Sequence, residues 1–247
     1  MNSSPTIAEA LPRCEVAASA YLFRLVDWDA AESLERKLVY EAGESHTGSI
    51  TLCEHPPGFV VGRSGSRAHL PDDPVALAAR GYPVRWVARG GGVQLLQAGQ
   101  VVVRVVAPLS PLGLSPAGFV DRLGGALHDA IDSFGLPTEG RDAAVWVRGR
   151  ALATHGSAVR FGVGAGLAVV NVTPDLGLFR QTRHDARPRP GTSLEREVGA
   201  RVRPALVRQR LLDSLSTRLG FARVSVFQSH PAIPRRTPLH AIKPAAR

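Results

Sequence analysis

Short runs of alternating or continuous apolar residues occur along the chain and predict β-strands. Residues 21–26 alternate and are rich in strand-forming side chains, residues 49–53 end before two prolines, and residues 83–87 end before three glycines. Residues 101–106 are almost wholly apolar, which is typical of a strand that is covered on both faces. We therefore expect residues 101–106 to lie near the centre of a sheet.

Three further strands are predicted at residues 143–147, 151–161 and 166–172. Apolar residues at helical spacing also predict three amphipathic helices. The first follows a cap at Asp27 or Asp29, and the second begins after Ser115 and stops at Gly135. The apolar positions of the first helix are Ala30, Leu34, Leu38 and Val39, and the third helix, residues 204–219, carries the stripe Leu206, Leu211, Leu212, Leu215 and Leu219.

Strands and helices are mixed without strict alternation, which favours an α+β fold with a mixed or largely antiparallel sheet flanked by helices. A chain of 247 residues with 44% hydrophobic content can bury one sizeable core. We predict a single domain at residues 18–228. A flexible extension, residues 1–17, would precede it, and a basic, proline-rich and disordered tail, residues 229–247, would follow it.

The composition argues against several classes of protein. No run of about 18 apolar residues is present, so we expect no membrane span. The first twenty residues carry charges and lack a continuous apolar core, unlike a signal peptide. The two cysteines, Cys14 and Cys53, form no spaced disulfide or metal framework. We expect a cytoplasmic protein without a metal or a cofactor.

The net charge of +9 favours acidic partners, such as nucleic acid, anionic lipid or acidic carrier proteins. Among the 30 basic residues, only Lys37 and Lys243 are lysines. The same charge also fits an arginine-rich bias spread over a solvated surface. Neither zinc-finger spacing nor a basic strand with interspersed aromatic residues is present, so nucleic acid is the least favoured partner.

Two glycine-containing stretches carry a family resemblance. One is Arg89-Gly90-Gly91-Gly92-Val93, and the other runs from Gly149 through Thr154 and His155 to Gly156. With Glu54-His55-Pro56-Pro57 and Gly62-Arg63, they resemble the octanoyltransferases of lipoate biosynthesis, which are relatives of the lipoate and biotin protein ligases. The resemblance covers about residues 20–220. It implies a single catalytic domain of the biotin/lipoate protein ligase (BPL/LPL) type.

The resemblance also implies acyl transfer from a carrier thioester to a lysine amine. Such a transfer needs an apolar tunnel, a nucleophile, and a cation or base that lowers the pKa of the nucleophile. A fatty-acyl or lipoyl ligand and acidic partners, acyl carrier protein or lipoyl domains, are implied as well. The implied substrate-binding residues are Arg89, Gly90, Gly91, Gly92, Val93, Gln94, Leu95, Leu96, Thr154, His155, Gly156, Gly166, Leu167 and Ala168.

This chain departs from the family at both catalytic positions. The catalytic lysine of the family falls on Ala151. Its nucleophilic cysteine falls on Asp185, and His184 is the other candidate for that position. Arg150 is the adjacent cation, but neighbouring residues of a strand point to opposite faces. Arg150 is therefore a poor substitute for the lysine.

Three further departures make the implied pocket more apolar than that of the active family. A tyrosine and a histidine of the family fall on Leu95 and Leu96, and a second histidine falls on Ala165. The first functional hypothesis is therefore a noncatalytic or diverged homologue. It would retain a pocket for a fatty-acyl or lipoyl group and would dock an acidic carrier domain.

The second hypothesis is a working acyltransferase with relocated catalytic residues, for which His155, His184 and Asp185 are the candidates. Cys53 lies in a predicted strand, where a small buried hydrophobic side chain is the default interpretation. A lipoate ligase is disfavoured, because the implied pocket has no lysine for the adenylate and a guanidinium differs from an ammonium in geometry and acidity.

Overall fold

The computed structural model describes residues 15–141, 143–182 and 190–233. The strands are β1 (Ala17–Leu25), β2 (Gly48–Glu54), β3 (Gly58–Val61), β4 (Val84–Trp86), β5 (Val93–Leu96), β6 (Gln100–Pro108), β7 (Thr138–Arg141), β8 (Ala144–Val147), β9 (Arg150–Arg160), β10 (Val163–Asn171) and β11 (Arg223–Phe227). The helices are α1 (Trp28–Ser45), α2 (Pro74–Ala79), α3 (Pro116–Asp132), α4 (Leu194–Val198) and α5 (Pro204–Leu219).

The strands form one large and one small sheet. The large sheet has the order β11-β1-β2-β6-β10-β9-β8-β7, and the small sheet has the order β4-β3-β5. In the large sheet β1 is parallel to β2 and β11, whereas the other neighbours are antiparallel. Every residue of β6 is buried, and β6 lies between β2 and β10. The predictions of a mixed α+β fold and of a central strand at residues 101–106 are confirmed.

The large sheet is covered on both faces by apolar side chains. Successive side chains of a strand point to opposite faces, and β6 follows this rule. Val103 and Val105 pack with α3 and α5, whereas Val102 and Val106 pack with α1 and the small sheet. Arg104 shares the α1 face with Val102 and Val106, so a charged side chain lies in the middle of the buried sheet.

The three long helices begin where the sequence predicts. The Asp27 carboxylate accepts a hydrogen bond from the Asp29 amide at 2.9 Å, and Ser115 Oγ accepts one from the Gly118 amide at 3.0 Å. In α5 the predicted stripe needs a correction. Val207 takes the first buried position, and Leu206 and Leu212 are only half-buried. The buried set follows the i, i+4 spacing of a helix: Val207, Leu211, Leu215 and Leu219.

Both predicted flanking segments extend in part into the described residues. Val16 is buried beside β1, the His230 ring meets the Tyr21 ring edge-on at 4.9 Å, and Ile233 packs against the core on the α1 face. The rest of each segment lies outside the described residues. In the part of the chain that the structure describes, no helix has the length and apolarity needed to cross a membrane.

Candidate functional site

The glycine loop before β5 packs directly on the backbone of β9. The Gly90 amide donates to the Ser157 carbonyl at 2.7 Å, and a Cβ atom on Gly156 would collide with the Gly90 carbonyl oxygen. On the other side, the Gly62 amide donates to the Gly92 carbonyl at 3.0 Å. Glycine at these positions lets two protein backbones approach each other closely. The loop is therefore fixed between β9 and residues 62–64.

A chain of side-chain hydrogen bonds links this loop to β5 and β9. Arg89 Nη2 donates to Gln94 Oε1 at 3.2 Å, and Gln94 Nε2 donates to Thr154 Oγ1 at 3.2 Å. Arg89 and Gln94 are buried. The structure thus brings together three of the residues that the sequence places in the substrate site.

A small cavity of about 50 Å³ lies around Ala151, on the side of the sheet that faces Gln94 and Leu95. Thr182 and Gly191, the described residues near the two ends of the gap at 183–189, both line it. The Ala151 amide donates to the Pro190 carbonyl at 3.0 Å. Ala151 therefore lies next to the described residues on both sides of segment 183–189.

The side chain at this position is a methyl group, where the family resemblance implies a lysine. His184 and Asp185, the candidates for the cysteine position, lie outside the described residues.

Arg150 does not point into this cavity. Its Nε and Nη2 atoms donate to the two carboxylate oxygens of Glu197 at 2.8 and 2.9 Å. Burial would raise the pKa of Glu197, but hydrogen bonds from Arg150 and Thr192 outweigh burial and hold this pKa below its usual range. Arg150 is therefore engaged in a bidentate ion pair on the opposite side from Ala151, as strand alternation predicts.

The sheet separates the other predicted substrate-binding residues into two groups. Thr154 and Gly156 face the glycine loop, whereas the His155 side chain lies against Gly124 of α3. Gly166 also faces α3, because a Cβ atom there would lie 2.7 Å from Leu123 Cδ2. Of the remaining predicted residues, Ala168 packs in the α3–α5 core, Leu167 and Leu96 pack in the α1 core, and Val93 and Leu95 pack in the small-sheet core.

A larger cavity, of about 540 Å³, lies between α1 and the sheet. Its lining is mostly apolar, and it includes Ala165, the position of a family histidine, and Arg89 from the glycine loop. Arg104 lines it as well: Arg104 Nη1 donates to Glu35 Oε2 at 2.7 Å, and the guanidinium lies 4.4 Å from the centroid of the Trp28 ring. The sequence-based prediction of the site omitted Arg104 and Trp28. An arginine within an otherwise apolar central strand was the available signal.

The charge of Arg104 acts on Arg89 across this cavity. Burial, followed by the positive charge of Arg104, lowers the pKa of the Arg89 guanidinium to about 9. The centroid of the Trp28 ring lies 5.5 Å from Arg89 Cζ and 4.4 Å from Arg104 Cζ. The cavity therefore combines apolar walls with two buried cations.

The motif of Cys53 and His55 lies inside the core next to this cavity. His55 Nδ1 donates to the Val26 carbonyl at 2.8 Å, which leaves Nε2 as an acceptor 3.7 Å from Cys53 Sγ. Burial raises the pKa of the Cys53 thiol to about 11. Burial, followed by the charge of Arg104, lowers the pKa of His55 to about 3. Both groups are neutral at pH 7, and Cys53 is a buried hydrophobic residue, as predicted.

We expect iodoacetamide to leave Cys53 unmodified in the folded protein, because its thiol is protonated and inaccessible to solvent. In a denaturant the same cysteine should be alkylated fully. Peptide mass mapping of a Cys14→Ser variant measures this directly. Rapid alkylation of Cys53 in the folded protein would contradict the assignment of Cys53 to the core.

The described part of the chain contains no group of three or more histidine, cysteine, aspartate or glutamate side chains that could hold a metal ion. The polar groups that face the two cavities are instead guanidinium, amide, hydroxyl and carboxylate groups.

Comparison with known proteins agrees with this architecture. The chain matches the lipoyl protein ligase A/B catalytic domain over residues 27–216. An octanoyltransferase of Chloroflexus aggregans is 31% identical over 198 residues, which cover 77% of this chain and 89% of that protein. An octanoyltransferase of Syntrophobacter fumaroxidans is 32% identical over 165 residues, which cover 65% of this chain and 72% of that protein.

Solved structures show the same fold at low identity. A lipoate protein ligase of T. acidophilum, Ta0514, with bound lipoic acid has a TM-score of 0.64 at 13% identity, covering 87% of this chain and 89% of that chain. The bi-partite lipoate protein ligase of Thermoplasma acidophilum has a TM-score of 0.62 at 15% identity, covering 87% of each chain. The chain therefore belongs to the lipoyl protein ligase A/B catalytic domain family.

Proposed function

We propose that this protein is a diverged homologue of the octanoyltransferases that binds a fatty-acyl or lipoyl group and lacks the lysine and cysteine chemistry of acyl transfer. The observation that carries the proposal is Ala151. It lies beside Thr154 in the cavity where the family resemblance implies a lysine. A methyl group can neither lower the pKa of a nucleophile nor receive a proton.

Among the described residues, neither a cysteine nor a lysine side chain lines the cavity around Ala151, which supports the proposal. Cys53 is the described cysteine, and it lies in the core as a protonated thiol. Lys37 lies on the exposed side of α1, 3.6 Å from Glu41, and Arg150 is held by Glu197. Acyl transfer through a thiolate needs a nucleophile and a cation in one cavity, and these side chains lie apart.

The larger cavity and the matched relatives support the proposal that the protein binds a fatty-acyl or lipoyl group. About 540 Å³ falls within the range of small-molecule pockets, about 300–1,000 Å³. The matched relatives are octanoyltransferases, and one structural neighbour contains lipoic acid. The net charge of +9 fits an acidic carrier protein or lipoyl domain as the partner that delivers the ligand.

A second candidate function is acyl transfer by relocated residues. Thr182 and Gly191 line the Ala151 cavity, so the segment between them, with His184 and Asp185, begins and ends beside it. The third candidate, His155, lies against α3 and is directed away from this cavity.

The experiment that separates the two functions is an acyl-transfer assay. Purified protein is incubated with octanoyl-acyl carrier protein and a lipoyl domain, and intact mass spectrometry follows the lipoyl domain. We expect no octanoylated product, whereas an octanoyltransferase that has both the lysine and the cysteine should modify the domain fully under the same conditions. Product formation that is lost in His184→Ala or Asp185→Ala would overturn the noncatalytic proposal in favour of relocated chemistry.

A further inference from the structure

A phenylalanine ring is exposed to solvent at the turn between β9 and β10. Arg160 pairs with Val163, so the turn consists of Phe161 and Gly162 alone. Phe161 is 97% exposed, its φ angle is +52°, and that of Gly162 is +75°. A two-residue turn with two positive φ angles favours asparagine, aspartate or glycine. Phe161 is thus disfavoured both by its backbone and by its exposed ring, and residues held in such conformations cluster at functional positions.

The loop that adjoins this turn contains no charged side chain. The Leu109 amide donates to the Gly162 carbonyl at 3.0 Å, which holds the turn beside the loop between β6 and α3. No acidic or basic residue occurs at positions 105–120. The loop leucines, Leu112 and Leu114, pack partly on the core. This end of the large sheet can therefore enter an apolar environment without the cost of burying a charge from that loop.

Phe161 also lines the larger cavity, together with a second exposed ring, Tyr40. The exposed charged residues of the lining are Arg36, Glu44 and Arg160, and the half-buried or buried ones are Glu32, Glu35, Arg89 and Arg104. The inner group has two arginines and two glutamates, so its charges balance, whereas the exposed group has two arginines and one glutamate. Among the described residues, neither Arg36 nor Arg160 forms an ion pair with a carboxylate. The surface around Phe161 is therefore weakly positive.

We propose that this end of the sheet docks on an anionic lipid bilayer, with the Phe161 ring inserted below the headgroups and the guanidinium groups of Arg36 and Arg160 at the lipid phosphates. Insertion removes the apolar surface of the ring from water. Cations close to an anionic membrane surface are attracted to it, and the net charge of +9 acts in the same direction. An exposed tyrosine such as Tyr40 suits this interface, where its ring meets the apolar side and its hydroxyl meets water.

Docking through Phe161 goes beyond the binding function proposed above and does not depend on it. It places the larger cavity next to the bilayer, because Phe161 lines that cavity. A soluble protein with an apolar pocket is the other possible occupant of this surface. The uncharged loop and the two arginines favour a lipid surface, which is apolar inside and anionic outside.

The test is co-sedimentation of the full chain with vesicles of phosphatidylglycerol and phosphatidylcholine in equal parts, and with vesicles of phosphatidylcholine alone. We expect the wild-type protein to prefer the anionic vesicles, and added salt to weaken this preference. Phe161→Asn removes the ring and supplies a residue that the turn favours, so it should fold at least as well and bind about tenfold less tightly. In the matched control Val75→Asn, which replaces an exposed valine of α2 outside the cavity, the affinity should be unchanged.

A tryptophan at the same position reports insertion directly. In Phe161→Trp the emission, after subtraction of the wild-type spectrum, should shift to shorter wavelength when anionic vesicles are added. Arg160→Gln should reduce the preference for anionic vesicles and leave binding to neutral vesicles unchanged. No vesicle binding by the wild type, equal binding by the wild type and Phe161→Asn, or an unshifted emission in bound Phe161→Trp overturns the proposal. None of these outcomes affects the result of the acyl-transfer assay, so the two proposals can fail separately.

Discussion

Replacement of Gly156 by alanine is expected to destabilise the protein by about 3 kcal/mol, at the upper end of the usual cost of overpacking. The new Cβ atom would collide with the Gly90 carbonyl oxygen. That oxygen belongs to a backbone held by the Gly90–Ser157 hydrogen bond at 2.7 Å and by the Arg63–Arg89 hydrogen bond at 2.9 Å. The loop that carries the Gly90 carbonyl cannot move away from β9 without breaking one of these two hydrogen bonds. Urea unfolding followed by circular dichroism measures the change in the free energy of unfolding.

The matched control is Gly43→Ala in α1. A Cβ atom there meets its nearest neighbour, Val163 Cγ2, only at 4.0 Å. Glycine inside a helix is less stable than alanine by about 0.5–1 kcal/mol, so this substitution should stabilise the protein. The same chemical change thus has opposite expected effects at the two positions. Gly156→Ala with wild-type stability would show that the glycine loop is not packed on β9.

Acidification from pH 6.5 to pH 4.5 is expected to destabilise the protein by about 2 kcal/mol through His55 alone. The pKa of His55 is lowered from 6.5 to about 3, first by burial and then by the charge of Arg104. In the unfolded chain the imidazole binds a proton near pH 6.5, whereas in the folded protein it stays neutral until about pH 3. Protons therefore bind preferentially to the unfolded chain over this interval, and stability decreases as the pH falls.

The variant His55→Gln isolates this contribution. Its amide can donate to the Val26 carbonyl as Nδ1 does in the wild type, but it does not titrate. Burial also lowers the pKa of His230, which adds to the slope in both proteins. We expect the variant to have a flatter profile of unfolding free energy between pH 6.5 and 4.5. Parallel profiles of the wild type and the variant would exclude His55 as the source of the acid sensitivity.

Much of the large sheet follows from apolar periodicity. Val101 to Val106 predicts a central strand because both of its faces must be covered, and β6 is buried along its whole length. Ser115 and Asp27 predict two helix starts because their oxygens satisfy amide groups that a first turn leaves free. These signals are local, so they can be recognised without knowledge of the tertiary structure.

The strand predicted at residues 83–87 is confirmed as β4 of the small sheet, but its two partners, β3 and β5, were not predicted, because they are short and follow turns. Gly58–Val61 directly follows two prolines, and Val93–Leu96 directly follows the three glycines, so each has only four residues in which to show a pattern. The strand Arg223–Phe227 was missed for another reason. It is an edge strand with mostly exposed side chains, so no apolar face distinguishes it from a loop.

The order of the site residues along the chain could be predicted from the sequence. The face of the large sheet on which each side chain lies could not. The family resemblance identifies Ala151 as the position of the lysine, and strand alternation predicts that its neighbour Arg150 points to the other face. The side on which each residue of β9 lies depends on an irregularity in register opposite Val145 and Trp146. One extra residue in a strand changes which side chains face the cavity. The partner of Arg104 was also not predictable, since Glu35 lies 69 residues away on a different element.

The parallel pairing of β1 with β11 has a consequence for synthesis on the ribosome. Ala17 pairs with Arg223, so one edge of β1 has no partner until translation has passed α5. An unpaired strand edge is a template for aggregation, and pairing between residues so distant in sequence closes slowly. In a nascent chain this edge of β1 therefore stays unpaired until β11 has been synthesised.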